Sequence, residues 1–263
     1  MTDETPLDLA HAAMEAAPLD DAARLRFYER LADSELFLLL SKEPEGEQIA
    51  PEMFELADGT FVLVFDREER LTTFTGQAAP YAALSGRVLA QMLAGQGIGL
   101  GLNLEVAPSA ILIPDMAVAW LHQTLGNAPD EVQAHVRELR PPAGLPEALI
   151  TALDQKLSTA VGLAASAYLV GVTYDSGGQG HMLAFVDAVE GAQSALAKAA
   201  GEALTFSGIE AGAMDVGFFA ASDPIAAKLA VSGLRFDLPV PEGRAEVMRP
   251  APGSDPEKPP ILK

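Results

Sequence analysis

The chain has 263 residues, 49% hydrophobic and 21% charged, the proportions of a globular protein with room for one large domain or two ordinary ones. Its 17 Lys and Arg against 37 Asp and Glu give a formal net charge of −20, which repels phosphate backbones and anionic lipid and so argues against nucleic acid or a membrane surface as partner. Cysteine is absent, which excludes disulfides, thiolate catalysis and cysteine-bound metal centres.

The opening residues MTDETPLDLA lack the basic start and apolar run of a signal peptide, and no apolar run reaches bilayer length, so a cytoplasmic location is expected. Residues 1–5 read as a loose tail. Residues 20–32 read as an amphipathic helix, with Leu25, Tyr28 and Leu31 on one face and Asp20 as cap. ELFLLL at 35–40 reads as a buried strand, 41–53 as a polar connection, and FVLVF at 61–65 as a second strand after a turn at 58–60. The polar run DREERLTTFTG beyond it is expected to turn a corner, with residues 66–70 in solvent, Phe74 pinned into the core and Thr75 capping the next element.

A helix is expected from Pro80 to Leu93 through Tyr81, Leu84, Val88 and Met92. In GIGLGLNLE, Ile98, Leu100, Leu102 and Leu104 alternate with Gly99, Gly101 and Asn103, which predicts a strand whose glycine face lies close under a neighbour. AILI at 110–113 is a further strand, and Pro114 opens a helix carrying Val118, Leu121 and Leu125. GNAPDE at 126–131 shifts the composition and marks a domain boundary. Beyond it come a strand at 132–139, a helix at 146–158, and strands ASAYLVGVTY and HMLAFVD joined by the hairpin DSGGQG. A helix at 190–204, the strand MDVGFFA, a helix begun by SDP at 222–224 and the strand LRFDL complete the pattern.

The fold class is therefore α+β: two small mixed domains, 1–127 and 128–240. The order in the second suggests a ferredoxin-like arrangement. Residues 241–263 form a Pro-rich tail expected to be disordered or loosely tethered. No fixed-period repeat is visible, although both halves mix strands and helices in similar proportion.

Motifs for chemistry are weak. GQGIGLG at 95–101 has Leu100 where a dinucleotide loop needs glycine, and it lies between a helix and a strand rather than ahead of a helix. Asp175–Gly177 spells the Asp-Ser-Gly of aspartic proteases without the second copy that chemistry needs, so a hairpin tip is expected. His11, His122, His135 and His181 share no metal-ligand spacing, no G-x-S-x-G elbow is present, and Trp120 reads as core. Asp66, Glu68 and Glu69 cluster, but among 37 acids such clusters arise easily and a solvated loop is expected. No catalytic residue, metal site or cofactor is assigned.

VLVFDREERLTTFTG at 62–76 resembles the SseB-like family: a strand ending in Val-Phe, a charged turn, then an aromatic-Thr-Gly step. FYERLADSELFLLL at 27–40 and AILIPDMAVAWL at 110–121 extend the resemblance, which covers about residues 7–125. Asn103-Leu104-Glu105 departs from the family's Asn-Pro-Gly. The second half looks more weakly like the family's C-terminal domain. The resemblance implies a cytoplasmic bacterial protein without established catalysis, linked by its name to enhanced serine sensitivity. No secretion role is carried over.

Three functions are then in play. The first is a non-enzymatic protein-interaction or regulatory module with an unknown protein partner or a homo-oligomer through sheet edges, with Arg70, Thr75 and Asn103 at the edge of any shared surface. The alternative is a small-molecule sensor binding a metabolite between the two domains near residues 126–145; a filled interface would oppose it. The third is a hydrolase using Asp175 or the acids at 66–69, which solvated side chains would remove.

Overall fold

The computed structural model describes residues 4–44, 46, 48–57, 59–126, 136–209 and 214–240. The expected tail at 241–263 and most of the expected boundary at 126–131 lie outside them. The described residues hold eight helices and eleven strands in two mixed sheets, an α+β architecture. None of these helices is long and apolar enough to cross a membrane.

The first half begins with helix α1 (Pro6–Ala16), where the sequence suggested nothing regular. Thr5 caps it, and Asp8 returns a bond to the Thr5 amide in a capping box, with Pro6 at the first helical position. Helix α2 (Asp21–Asp33) is next, capped by Asp20 as expected. Strands β1 (Glu35–Leu39), β2 (Met53–Leu56) and β3 (Gly59–Phe65) come after it, β2 falling just beyond the expected polar connection. β2 and β1 lie end to end along one edge of β3, pairing with residues 59–62 and 64–65.

The charged run after β3 is not an open turn but helix α3 (Glu68–Thr75), ended by Gly76 in the left-handed conformation. Leu71 is its one buried apolar residue, too few to give a periodic signal. The helix expected from Pro80 starts late. Tyr81–Ser85 is strand β4, paired antiparallel along all of β1, and Ser85 then caps helix α4 (Gly86–Leu93). Its apolar spacing fits a helix over so short a run, and pairing with β1 decides against it.

Strand β5 (Ile98–Leu102) lies parallel to β3, and β6 (Ile111–Ile113) pairs antiparallel on its far side. The glycine face of β5 is as close as expected: a Cβ at Gly99 would sit 2.5 Å from the Ile113 carbonyl oxygen. Leu104 does not continue the alternation. Asn103, at φ 47°, turns the chain, and Leu104 packs on the opposite face of the sheet. Helix α5 (Asp115–Gly126) closes the half, its Val118, Leu121 and Leu125 buried as expected.

The second half contains β7 (Val136–Arg140), α6 (Glu147–Ser158), β8 (Ser166–Tyr174), β9 (Gln179–Val186), α7 (Gln193–Phe206), β10 (Met214–Phe219), α8 (Pro224–Ser232) and β11 (Leu234–Asp237). The elements match the expected order, but the pairing is not ferredoxin-like. That fold would place another strand between β7 and β8 and between β9 and β10. Instead β7 lies directly beside β8, and β9 and β10 are adjacent and parallel.

The pairing reveals a repeat that residue spacing hides. Helix, strand, antiparallel strand, helix, adjacent parallel strand occurs as α2, β1–β2, β3, α4, β5, with α3 and β4 inserted before α4, and again as α6, β8, β9, α7, β10. Each sheet buries one face under two or more helices and packs the other against a single short helix, α3 or α8. The two helical layers meet where α2 packs on α7, and Phe206 of α7 is fully buried in the core of the first half.

Candidate functional site

The residues of the family-like stretch converge at the carboxyl ends of the parallel strands β3 and β5. Asp66 comes directly after β3, and Asn103 directly after β5. The Asn103 amide donates to the Val64 carbonyl (2.9 Å), and its side-chain oxygen accepts from the Asp66 amide (3.1 Å). One turn into α3, Arg70 points back beneath the strands. Its guanidinium donates to Asp8 through both terminal nitrogens (3.0 and 2.5 Å) and to Asp66 (2.8 Å). The Thr5 hydroxyl donates to the other oxygen of Asp66 (2.6 Å). Ser109 donates to Asp8 (2.5 Å) and accepts from the Asn103 side-chain amide (2.9 Å).

This network is buried and internally satisfied. Arg70 is 5% exposed, Asn103 0%, and no buried side-chain polar atom among the described residues lacks a partner. Burial raises the Asp8 carboxyl, but hydrogen bonds from Arg70, Ser109 and the Thr5 amide, together with the Arg70 charge, outweigh it and hold Asp8 well below the usual carboxylate range. Two carboxylates share one guanidinium, leaving one net negative charge beneath the sheet.

Of the three residues expected at a surface edge, the structure brings Arg70 and Asn103 together but takes both out of solvent. Their burial corrects the expected exposure of the charged run: Arg70 turns inward because Asp8 waits there, while Glu68 and Glu69 stay outside. Thr75 is elsewhere. It ends α3 rather than capping the next element, its hydroxyl donating to the Leu71 and Gln77 carbonyls (3.0 and 2.6 Å). Phe74 does pin the segment, its ring 5.3 Å from that of buried Phe65.

Sequence reasoning missed Thr5, Asp8 and Ser109. Thr5-x-x-Asp8 carries the spacing of a capping box and could have revealed α1. Nothing near Ser109 signals its role.

A second polar cluster fills the junction of the two halves. Arg87 of α4 reaches Glu202 of α7 in a fork (2.7 and 2.8 Å) and also bonds Asp33. Lys156 of α6 reaches Asp33 (2.7 Å), Glu202 (3.2 Å) and Glu29 (3.4 Å). Burial raises the Glu29 carboxyl, opposed by Lys156; the Asp33 carboxyl, also pushed up by burial, is brought below its usual value by Lys156 and Arg87. Among the described residues this cluster occupies the place where α2, α4, α6 and α7 meet, while residues 127–135 of the expected crevice lie outside them. A groove of about 500 Å³ beside Val136, Leu139, Ile225 and Val231 lies within the second half between β7 and α8.

Asp175 is exposed at its hairpin tip, as a Gly-rich turn implies. Of the described histidines, His11 is buried edge-on against Phe27, and His181 bonds the Ala143 carbonyl oxygen (3.0 Å). His135 lies outside the described residues. Among the described residues no cluster of His, Asp and Glu could hold a metal ion. Trp120, expected in the core, is 38% exposed, its ring edge-on to Tyr28 at 5.3 Å.

Residues 9–120, which contain most of this network, match the family model of the SseB protein N-terminal domain. The first half of the chain is thus similar to an SseB N-terminal domain. The match runs from within α1 to the middle of α5, contains the whole first sheet and does not extend to the second half. No curated protein and no solved structure matches the chain.

Proposed function

We propose that this SseB-like protein is a non-enzymatic protein-interaction module, regulatory in role, acting in the bacterial cytoplasm. The observation that carries the reading is an apolar display on two helices of the SseB domain that pack on each other. Val88 and Met92 on α4, and Met116 and Trp120 on α5, are i, i+4 pairs exposed to solvent, Met116 at 78%. Exposed Met and Trp are the side chains enriched at protein interfaces, where the thioether adapts and the indole buries a large area. A chain otherwise this acidic has little reason to show them.

Met116→Glu tests the reading. The variant should lose its co-purifying protein partner while its urea unfolding stays within about 0.5 kcal/mol of the wild type, as for an ordinary surface change. Retention of the partner would overturn the assigned surface. The serine connection rests on the family name alone, and growth of a deletion strain on added serine tests it separately.

A further inference from the structure

Open sheets hold ligands in the crevice outside the carboxyl ends of adjacent parallel strands. β3 and β5 form such a crevice, with Asp66 and Asn103 at its lips. Asp8 fills it. Its carboxylate receives both terminal nitrogens of Arg70, the Ser109 hydroxyl and the Thr5 amide, the last at 2.9 Å. A forked guanidinium joined by a hydroxyl and an amide is the donor set by which proteins recognise carboxylate ligands.

The occupant comes from α1, which precedes the repeated unit and is anchored to the core by Leu7. The repeated unit begins at α2, and among the described residues α1 has no counterpart in the second half. Residues 17–20 join α1 to α2, and Leu19 there is 98% exposed. A cleft of about 280 Å³, lined by Thr5, Ser34, Glu35, Asp66 and Arg67 among others, reaches the network from outside.

We infer that Arg70, Ser109 and the Thr5 amide form a carboxylate-binding site whose resident occupant is Asp8, and that α1 is a strap which a competing small monocarboxylate loosens. The inference stands apart from the interaction surface on α4 and α5, so either can fail alone.

Asp8→Ala in the full chain empties the site. Thermal melting in sodium formate is compared with sodium chloride at equal ionic strength. Formate should raise the melting temperature of Asp8→Ala saturably, by about 3–6 °C at tenfold its Kd. Asp8→Asn, whose amide still fills the crevice, should not respond. If Asp8→Ala does not fold in chloride, refolding yield in formate against chloride gives the same answer. In the wild-type protein, amide exchange of residues 7–16 should quicken in formate relative to chloride. An equal response of Asp8→Ala to both salts overturns the site. Rescue of that variant without faster α1 exchange in the wild type overturns the strap.

Discussion

Replacing Arg70 by Met removes the one cation from the buried network while keeping an apolar stem of similar length. Asp8 keeps its bonds from Ser109 and the Thr5 amide, and Asp66 keeps the Thr5 hydroxyl and loses its ion pair with Arg70. The buried charge goes from one net negative to two, with both carboxylates nearly out of solvent. Breaking a buried pair by deleting one partner costs about 3–5 kcal/mol, and that loss is expected at pH 7. The pH dependence carries a sign. In the wild type the depressed Asp8 carboxyl contributes stability that is present above its unfolded value of about 3.9 and is lost as pH falls toward its folded value. In Arg70→Met the burial stays while the guanidinium goes, so the folded value rises, and protonation relieves the variant as pH falls. The gap to wild type should therefore be widest at pH 7 and narrow by pH 4. Urea unfolding followed by the fluorescence of Trp120, the single tryptophan of the chain and part of the same half, reads this directly. A cost below about 1 kcal/mol, the scale of a surface pair, or a gap equal at both pH values, would refute the reasoning.

Two further perturbations probe the frame around the site. Lys156→Met takes the cation from Glu29 and leaves Glu202 and Asp33 with Arg87 alone, which weakens the clamp between the halves: the urea midpoint from Trp120 fluorescence and that from far-UV circular dichroism should separate, and coincident midpoints would contradict the clamp. Gly86→Ala puts a Cβ 2.0 Å from the Leu31 carbonyl oxygen where α4 crosses α2, and should cost at least about 3 kcal/mol in the same unfolding assay.

Elements with strong local signals were legible. α2 has a cap and a three-residue stripe, and β8 and β9 frame a Gly-rich turn. Helix α1 escaped although its capping box was in the sequence; the other elements that escaped, β2, α3 and β4, are short and lean on neighbours more than on their own pattern. α3 buries one leucine, and β4 is spelled like a helix and held as a strand by β1. The site escaped for a different reason. In Asp66-Arg67-Glu68-Glu69-Arg70 every residue suits solvent, and a local window reads a solvated turn. Arg70 goes inside because its counter-charge is supplied by Asp8, 62 positions away in the sequence. Burial of a charge is decided by a partner, and that partner is a property of the fold. The repeat escaped likewise, because it resides in strand pairing and leaves no fixed period in the residues.

The most direct test of the account is a native mass spectrum of the full chain purified gently from its own cells. A protein partner at fixed stoichiometry is the expected result. A bare monomer, or a bound metabolite with no protein partner, would contradict it.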